Sequence, residues 1–315
     1  MLKRKAFNRI FLTTVIFFIV FVLYIFMNDS FPSNGFSNGF VSGSYVYTLN
    51  EDNYISKASV YVSKSLSLED EIRERLEIIT DENNKNSLLP SYFKPILPKN
   101  TEVLDVVIED GIVKLYFSKE LYDISAYQAE KMIESIIYTI SDDDILGIEL
   151  YADGEMVKYV PHTDKMLPTI LTRDFGINKV YDIRETSSVV KVVMTYYGKF
   201  DGIFYEIPVT RYVNSDVSKL QVIVDNLDGM VSGLNLISMV DEVELVDYKI
   251  SSGCIFLVFD RELSDDEKKI IKSSVMANYD VNEVLFGVSW QIFWKFSLKV
   301  WFKYLKKWNC YCIIS

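Results

Sequence analysis

The chain has 315 residues, 44 acidic against 33 basic groups, one histidine and 49% hydrophobic residues. That length holds about two domains beside a membrane segment, and the apolar share is that of a folded chain. A formal net charge of −11 argues against nucleic acid, because phosphates need a basic footprint; the acidity reads as a soluble, solvated body.

Ile10–Met27 carries no charge, follows Lys3, Arg4, Lys5 and Arg9, and precedes Asp29. Its length nearly crosses the ~30 Å hydrocarbon core as a helix. The positive-inside rule places residues 1–9 in the cytoplasm and everything after the span outside. Phe26-Met27-Asn28-Asp29-Ser30 offers no small-x-small cleavage site, and no cysteine follows for lipidation. The expectation is therefore an uncleaved single-pass anchor in the cell membrane. Residues 28–44, rich in Ser, Gly and Asn, read as a flexible linker.

The body is organised by a repeat. Glu102–Leu121 and Glu244–Leu263 align at a constant offset, identical at eight of twenty positions: Glu102, Asp105, Ile108, Gly111, Leu115, Phe117, Glu120 and Leu121 meet Glu244, Asp247, Ile250, Gly253, Leu257, Phe259, Glu262 and Leu263. Each segment predicts a β-hairpin, with Gly111 and Gly253 supplying the positive φ of a tight turn. Capping-box patterns at Ser125–Gln128 and Ser264–Glu267 open a helix after each hairpin. Their stripes are Met132, Ile133, Ile136, Ile137 and Ile140 in one copy and Ile270, Ile271, Val275 and Tyr279 in the other. Strands at Gly147–Tyr151 and Glu283–Phe286 close the units. Upstream, Tyr45–Leu49 and Tyr54–Val62 flank a polar turn, and a helix capped by Ser67 follows with Leu68, Ile72, Leu76 and Ile79 as its stripe. Lys191–Tyr196 and Ile203–Val213 flank Gly198–Gly202 in the same way, before a helix capped by Asp216 with Leu220, Ile223, Val224 and Leu227.

The unit is thus ββ-α-ββ-α-β, and the fold class is α+β: two tandem two-layer modules, each with its helices on one sheet face, behind one transmembrane helix. The expected modules span residues 45–161 and 188–288, joined by an ordered connector over residues 162–187. Residues 289–315 hold all four Trp, five Lys and no acid. They read either as an amphipathic interfacial helix or as a shifted reading frame that replaced the end of the second module; the abrupt loss of acids favours the latter.

At the hairpin residues the sequence resembles the GerMN module family, found in spore-formation and germination proteins and other envelope proteins. The resemblance rests on Ile96-Leu97-Pro98-Lys99-Asn100-Thr101-Glu102-Val103-Leu104, Asp110-Gly111, Phe117-Ser118-Lys119-Glu120 and Asp153-Gly154. It covers the first copy well. The second has Ser252-Gly253 at its turn and lacks the closing Asp-Gly. The resemblance implies a non-catalytic role in sporulation, germination or another envelope process, and an architecture like that of the ring-building modules of sporulation channels. One tandem member is a lipoprotein, whereas this chain shows a hydrophobic anchor.

No chemistry emerges from the residues, so no catalytic residue, cofactor or metal is expected. His162 stands alone in a polar loop, where a solvated role is the default. Cys254 sits in an apolar strand, as a small hydrophobe does. Asp142, Asp143 and Asp144 are consecutive, not alternating as a calcium loop requires. In the second copy both phases of Cys254–Phe259 are apolar, which marks Phe256 as a candidate interaction surface. The expected partner is an extracytoplasmic or membrane protein, or a second copy of the chain. A glycan- or ligand-binding module is the alternative, and a peptidoglycan hydrolase ranks last.

Overall fold

The computed structural model describes residues 40–63, 67–80, 89–141, 145–227, 236–240, 242–251 and 253–289. The expected anchor, most of the linker, Asp142–Asp144 and the tail beyond Ser289 lie outside these residues. Among the described residues no helix is long and apolar enough to cross a membrane.

The first module opens with β1 (Phe40–Asn50) and β2 (Ile55–Ser63). Strand β1 starts inside the stretch expected to be linker. Asn50 closes the turn by accepting the Tyr54 N–H on its side chain at 2.8 Å. Helix α1 (Leu68–Ile78) begins at Ser67, whose hydroxyl accepts the Asp70 N–H at 3.2 Å. Ile72, Leu76 and Ile79 are buried as the stripe requires, while Leu68 is exposed. Strand β3 (Phe93–Lys94) pairs with β1, giving the order β2-β1-β3.

The second sheet of this module contains β4 (Val103–Glu109) and β5 (Ile112–Phe117), joined by Asp110 and Gly111 at φ 51° and 78°. Both central residues have positive φ, as a type I′ turn demands. Helix α2 (Ala126–Ile140) buries its whole predicted stripe. Its cap differs from the expectation: the Ser125 hydroxyl engages the Gln128 side chain at 3.1 Å and leaves the backbone uncapped. Strand β6 (Gly147–Ala152) returns parallel to β5, and the Asp153-Gly154 turn leads to β7 (Glu155–Met156).

The residues expected to form a connector are woven into both modules. Leu167, Leu171 and Ile177 join the first core, and Leu171 exchanges two 2.8 Å backbone hydrogen bonds with Ile148. Strand β8 (Val180–Asp182) then pairs parallel with a strand of the second module.

In that module β9 (Val189–Phe200) and β10 (Ile203–Asn214) pair along their full length. Only Asp201 and Gly202 form the turn, so Gly198, Lys199 and Phe200 are strand rather than loop. The Tyr205 ring lies across Gly198, where an added Cβ would come within 2.4 Å of it. Helix α3 (Lys219–Leu227) buries Leu220, Ile223, Val224 and Leu227. It is capped by Ser218, which accepts the Gln221 N–H at 3.2 Å, and not by Asp216. Strands β11 (Leu245–Ser251) and β12 (Cys254–Phe259) form the repeat hairpin, with Gly253 at φ 71°. Helix α4 (Asp265–Met276) has a complete capping box between Ser264 and Glu267. Strand β13 (Glu283–Val288) closes the order β11-β12-β13.

The fold is mixed α+β, but each module holds two sheets instead of one sheet with helices on a face. The reason lies in the helices. Helix α4 packs on both β9 and β13, so it lies between sheets. Ser274 on this helix and Asn278 just past its end serve the β9 edge: Ser274 Oγ accepts the Thr195 N–H at 3.1 Å, and Asn278 Oδ1 accepts the Val193 N–H at 2.9 Å. Helix α2 does the same for β1, where Thr139 Oγ1 accepts the Tyr47 N–H at 2.9 Å and the Ser135 hydroxyl donates to the Tyr47 carbonyl. A helix that satisfies a strand edge with hydroxyls and amides occupies the place where further strands would extend the sheet.

Candidate interaction surface

The strongest polar construction is the junction of the two modules. Asn178, buried and at φ 44°, donates through Nδ2 to the Ile55 carbonyl at 2.7 Å and to the Pro208 carbonyl at 2.8 Å. Its Oδ1 accepts the Ile55 N–H at 2.9 Å, and its own N–H donates to Glu134 at 2.8 Å. One residue therefore ties β2, β10 and α2 together. Asn tolerates positive φ better than most residues, which suits it to this place.

Glu134 is 3% exposed and Lys179 meets it at 2.9 Å and Glu130 at 2.6 Å. Burial pushes the Glu134 carboxyl above its ordinary value. Burial also pulls Lys179 down, but the two carboxylates outweigh it and hold the amine above its usual range. Alongside, Ile177 and Thr210 pair through the backbone at 2.8 Å, and Lys57 meets Glu206 at 3.2 Å. Tyr92, Phe93, Phe200 and Tyr205 pack ring to ring across the same boundary, with centroids 4.7–5.7 Å apart.

Away from the junction each module shows one face of its hairpin sheet. In the first this face is self-satisfied: Lys114 pairs with Glu109, Tyr116 stacks on Tyr151 at 4.7 Å, and the Tyr151 hydroxyl donates to Glu149 at 2.9 Å. In the second, Lys114 and Tyr116 are replaced by Phe256 and Val258 and Glu149 by Leu285, while Glu109 is replaced by Ser251. Cys254, Phe256, Val258 and Leu285 are half-buried, and the Phe256 ring lies over Gly287, where a Cβ would come within 2.7 Å of it. On the opposite face of the same sheet, that of Ile255 and Leu257, β11 leaves Ile250 52% and Tyr248 39% exposed. Their strand looked like an ordinary half-buried one in sequence. Its alternation gave no sign that the covering helix sits elsewhere.

Gly111 and Gly253 take corresponding hairpin turns and carry no chemistry. His162 lines a shallow groove between Tyr122 and Asp164, and its Nε2–H donates to the Tyr122 carbonyl at 2.7 Å. Among the described residues no cluster of three His, Cys, Asp or Glu could hold a metal.

Residues 45–158 match the family model described as "Germane: Sporulation and spore germination". The match covers the first module, which is similar to that family over its whole length. It is 24% identical over 241 residues to the spore germination protein GerM of Bacillus subtilis (strain 168), spanning 73% of this chain and 65% of the relative. The chain thus spans just under two thirds of that relative's length. Its fold is similar to the solved tandem GerMN domains of the sporulation protein GerM from Bacillus subtilis, with a TM-score of 0.73, 21% identity, and coverage of 80% of this chain and 92% of that one. The likeness extends over both modules, so the second is a GerMN fold despite its missing Asp-Gly.

Proposed function

We propose that this protein is a non-catalytic component of an extracytoplasmic assembly in spore formation or germination, held in the membrane by Ile10–Met27 with its body outside the cytoplasm. The observation that supports this reading most is the junction. Asn178, Glu134 and Lys179 fix two interaction modules in one orientation, as suits a part that must present surfaces at a set spacing. Buried polar networks with every member satisfied rigidify and specify one arrangement. The process comes from the relative, which is named for spore germination.

The partner in this reading is an extracytoplasmic or membrane protein, or a second copy. Crosslinking the full chain in envelope membranes and recovering it is expected to yield protein adducts. Recovery of cell-wall glycan without protein would favour the second reading, a sugar-binding face, which the stacked Tyr116 and Tyr151 support. Cleavage of peptidoglycan by the purified chain would overturn the non-enzymatic reading. Protease added outside spheroplasts should cut the body and spare the N-terminus; full protection would overturn the orientation.

A further inference from the structure

Strand edges are costly to leave open, and this chain closes several of them. The β9 edge is met by Ser274, Asn278 and a two-way backbone bridge between Tyr197 and Ile237. The β6 edge is met by β7, by Val157 N–H donating to the Leu150 carbonyl at 2.8 Å, and by Leu171 on Ile148. In the second module β13 holds the place of β6, and among the described residues no strand lies on its outer side. The other edge of that sheet, β11, is protected: it is bulged between Leu245 and Asp247 and carries Asp247 and Lys249. Bulges and charges are how proteins blunt an edge. Strand β13 reads Glu-Val-Leu-Phe-Gly-Val, with one charge at its start and no proline.

The outward groups of β13 can be identified. Glu283 N–H donates to the Gly253 carbonyl and Ser289 N–H to the Phe259 carbonyl, so odd-numbered residues face β12. Alternation then points the N–H and C=O of Val284, Phe286 and Val288 outward. These correspond to Ile148, Leu150 and Ala152 of β6, whose edge already accepts antiparallel chain.

We propose that β13 pairs antiparallel with β13 of a second copy about a two-fold axis at Phe286. That register sets Val284 opposite Val288 and Phe286 opposite itself, matching all three outward residues for about six ladder hydrogen bonds. It sets Leu285 opposite Gly287, a long side chain against none, and Glu283 opposite Ser289, so like charges do not meet. Centring on Leu285 instead sets Val288 against Asn282, whose N–H is already held by the Gly253 carbonyl at 2.8 Å. The product is a closed dimer with a continuous six-stranded sheet, an isologous interface of the common kind. This inference rests on the assembly reading and names a second copy as partner.

The test uses the full chain in its membrane, with Cys254, Cys310 and Cys312 replaced by Ser. Opposed residues of a non-hydrogen-bonded pair lie about 4.5 Å apart at Cα, within disulfide reach. Glu283→Cys with Ser289→Cys in one chain should therefore give a covalent dimer under mild oxidation. Either substitution alone should not, because identical residues there lie roughly 20 Å apart along the strands. Val288→Pro deletes one outward donor per copy without touching the β12 ladder. It should cut dimer yield on the order of tenfold, with the melting curve unchanged. A double-cysteine chain that stays monomeric, whether its edge is covered by its own tail or by another protein, overturns the proposal. So does equal crosslinking by Glu283→Cys alone. Protein adducts from the envelope alongside a monomeric double variant would leave the assembly reading standing; dimer without other adducts would leave self-pairing standing alone.

Discussion

Strands β4 and β11 hold the same place in their modules and end in different surroundings. Helix α1 packs on β4, Arg73 donates to the Val103 carbonyl and approaches Asp105 at 3.7 Å, and Val106 is buried while Ile108 is half-covered. Helix α3, the counterpart of α1, packs on β9 and on α4. The matching residues of β11, Tyr248 and Ile250, are left in solvent. The copies share a hairpin, a turn glycine and a helix stripe, yet one inner face is closed and the other is not. The two copies share the local code and differ in long-range packing, so Tyr248 and Ile250 are exposed where Val106 and Ile108 are covered.

The largest way to break this comparison is to separate the copies. Asn178→Ala strips partners from the Ile55 N–H, the Ile55 carbonyl and the Pro208 carbonyl, all in a buried junction. Unsatisfied buried groups of this kind cost about 1–3 kcal/mol each, so a loss of roughly 3–5 kcal/mol is expected. Calorimetry should show one unfolding transition in the parent chain and two in the variant. A single, unshifted transition would mean the modules are coupled elsewhere.

The matched turns come next. Gly111→Ala and Gly253→Ala each force a side chain into positive φ, at about 1–2 kcal/mol. Gly253→Ala should be the worse of the two, because its Cβ would also lie 3.2 Å from Asn282 Nδ2. Equal urea midpoints would remove that difference. The covered and open faces can then be compared directly. Ile108→Lys should cost about 1 kcal/mol, since it pulls a half-covered residue off the core, while Ile250→Lys should stay within about 0.5 kcal/mol.

Local features were legible in the sequence where periodicity and turn chemistry act over a few residues. The α2 and α3 stripes are buried residue for residue, and the tight hairpins follow from Asp-Gly and Ser-Gly pairs. What the sequence concealed involves distant partners. A single sheet per module was the simpler reading of ββ-α-ββ-α-β. The division into two follows from Thr139, Ser274 and Asn278 reaching strand edges, and polar residues on a helix do not announce what they face. Glu134, beside Ile133 in a stripe of isoleucines, was the one visible sign of a buried polar site, and its partners Asn178 and Lys179 lie in what read as a connector. Ser218 displaced Asp216 as a cap because two candidate oxygens stand two residues apart, and only the helix start decides between them.

The two capping sites give the smallest and most controlled comparison. At α4 Glu267 accepts the Ser264 N–H at 2.8 Å and is gripped by Arg261 at 3.1 Å. The Arg261 guanidinium, with the Ser264 bonds, holds its carboxyl down at about 2 against an ordinary 4.5. A carboxyl depressed in the folded state adds stability that is full above its unfolded value and is lost as pH falls from about 4.5 towards 2. At α2 the same position is Gln128, which does not titrate, so that cap lacks this dependence. Glu134 acts in the opposite sense: raised by burial, it favours the folded state less as pH rises through its shifted value. It is common to parent and variant, so it cancels in a difference. The stability difference between parent and Glu267→Gln should therefore shrink as pH drops from 4.5 towards 2, as read from urea midpoints. Conversely, Gln128→Glu should complete the box at α2 and place a negative charge in the first turn, adding about 0.5–1 kcal/mol at neutral pH. That gain should fade on acidification, because it depends on an ionised carboxylate. A gain that persists at low pH would show that the introduced carboxyl acts through its hydrogen bond alone, and the charge argument for α4 would fall with it.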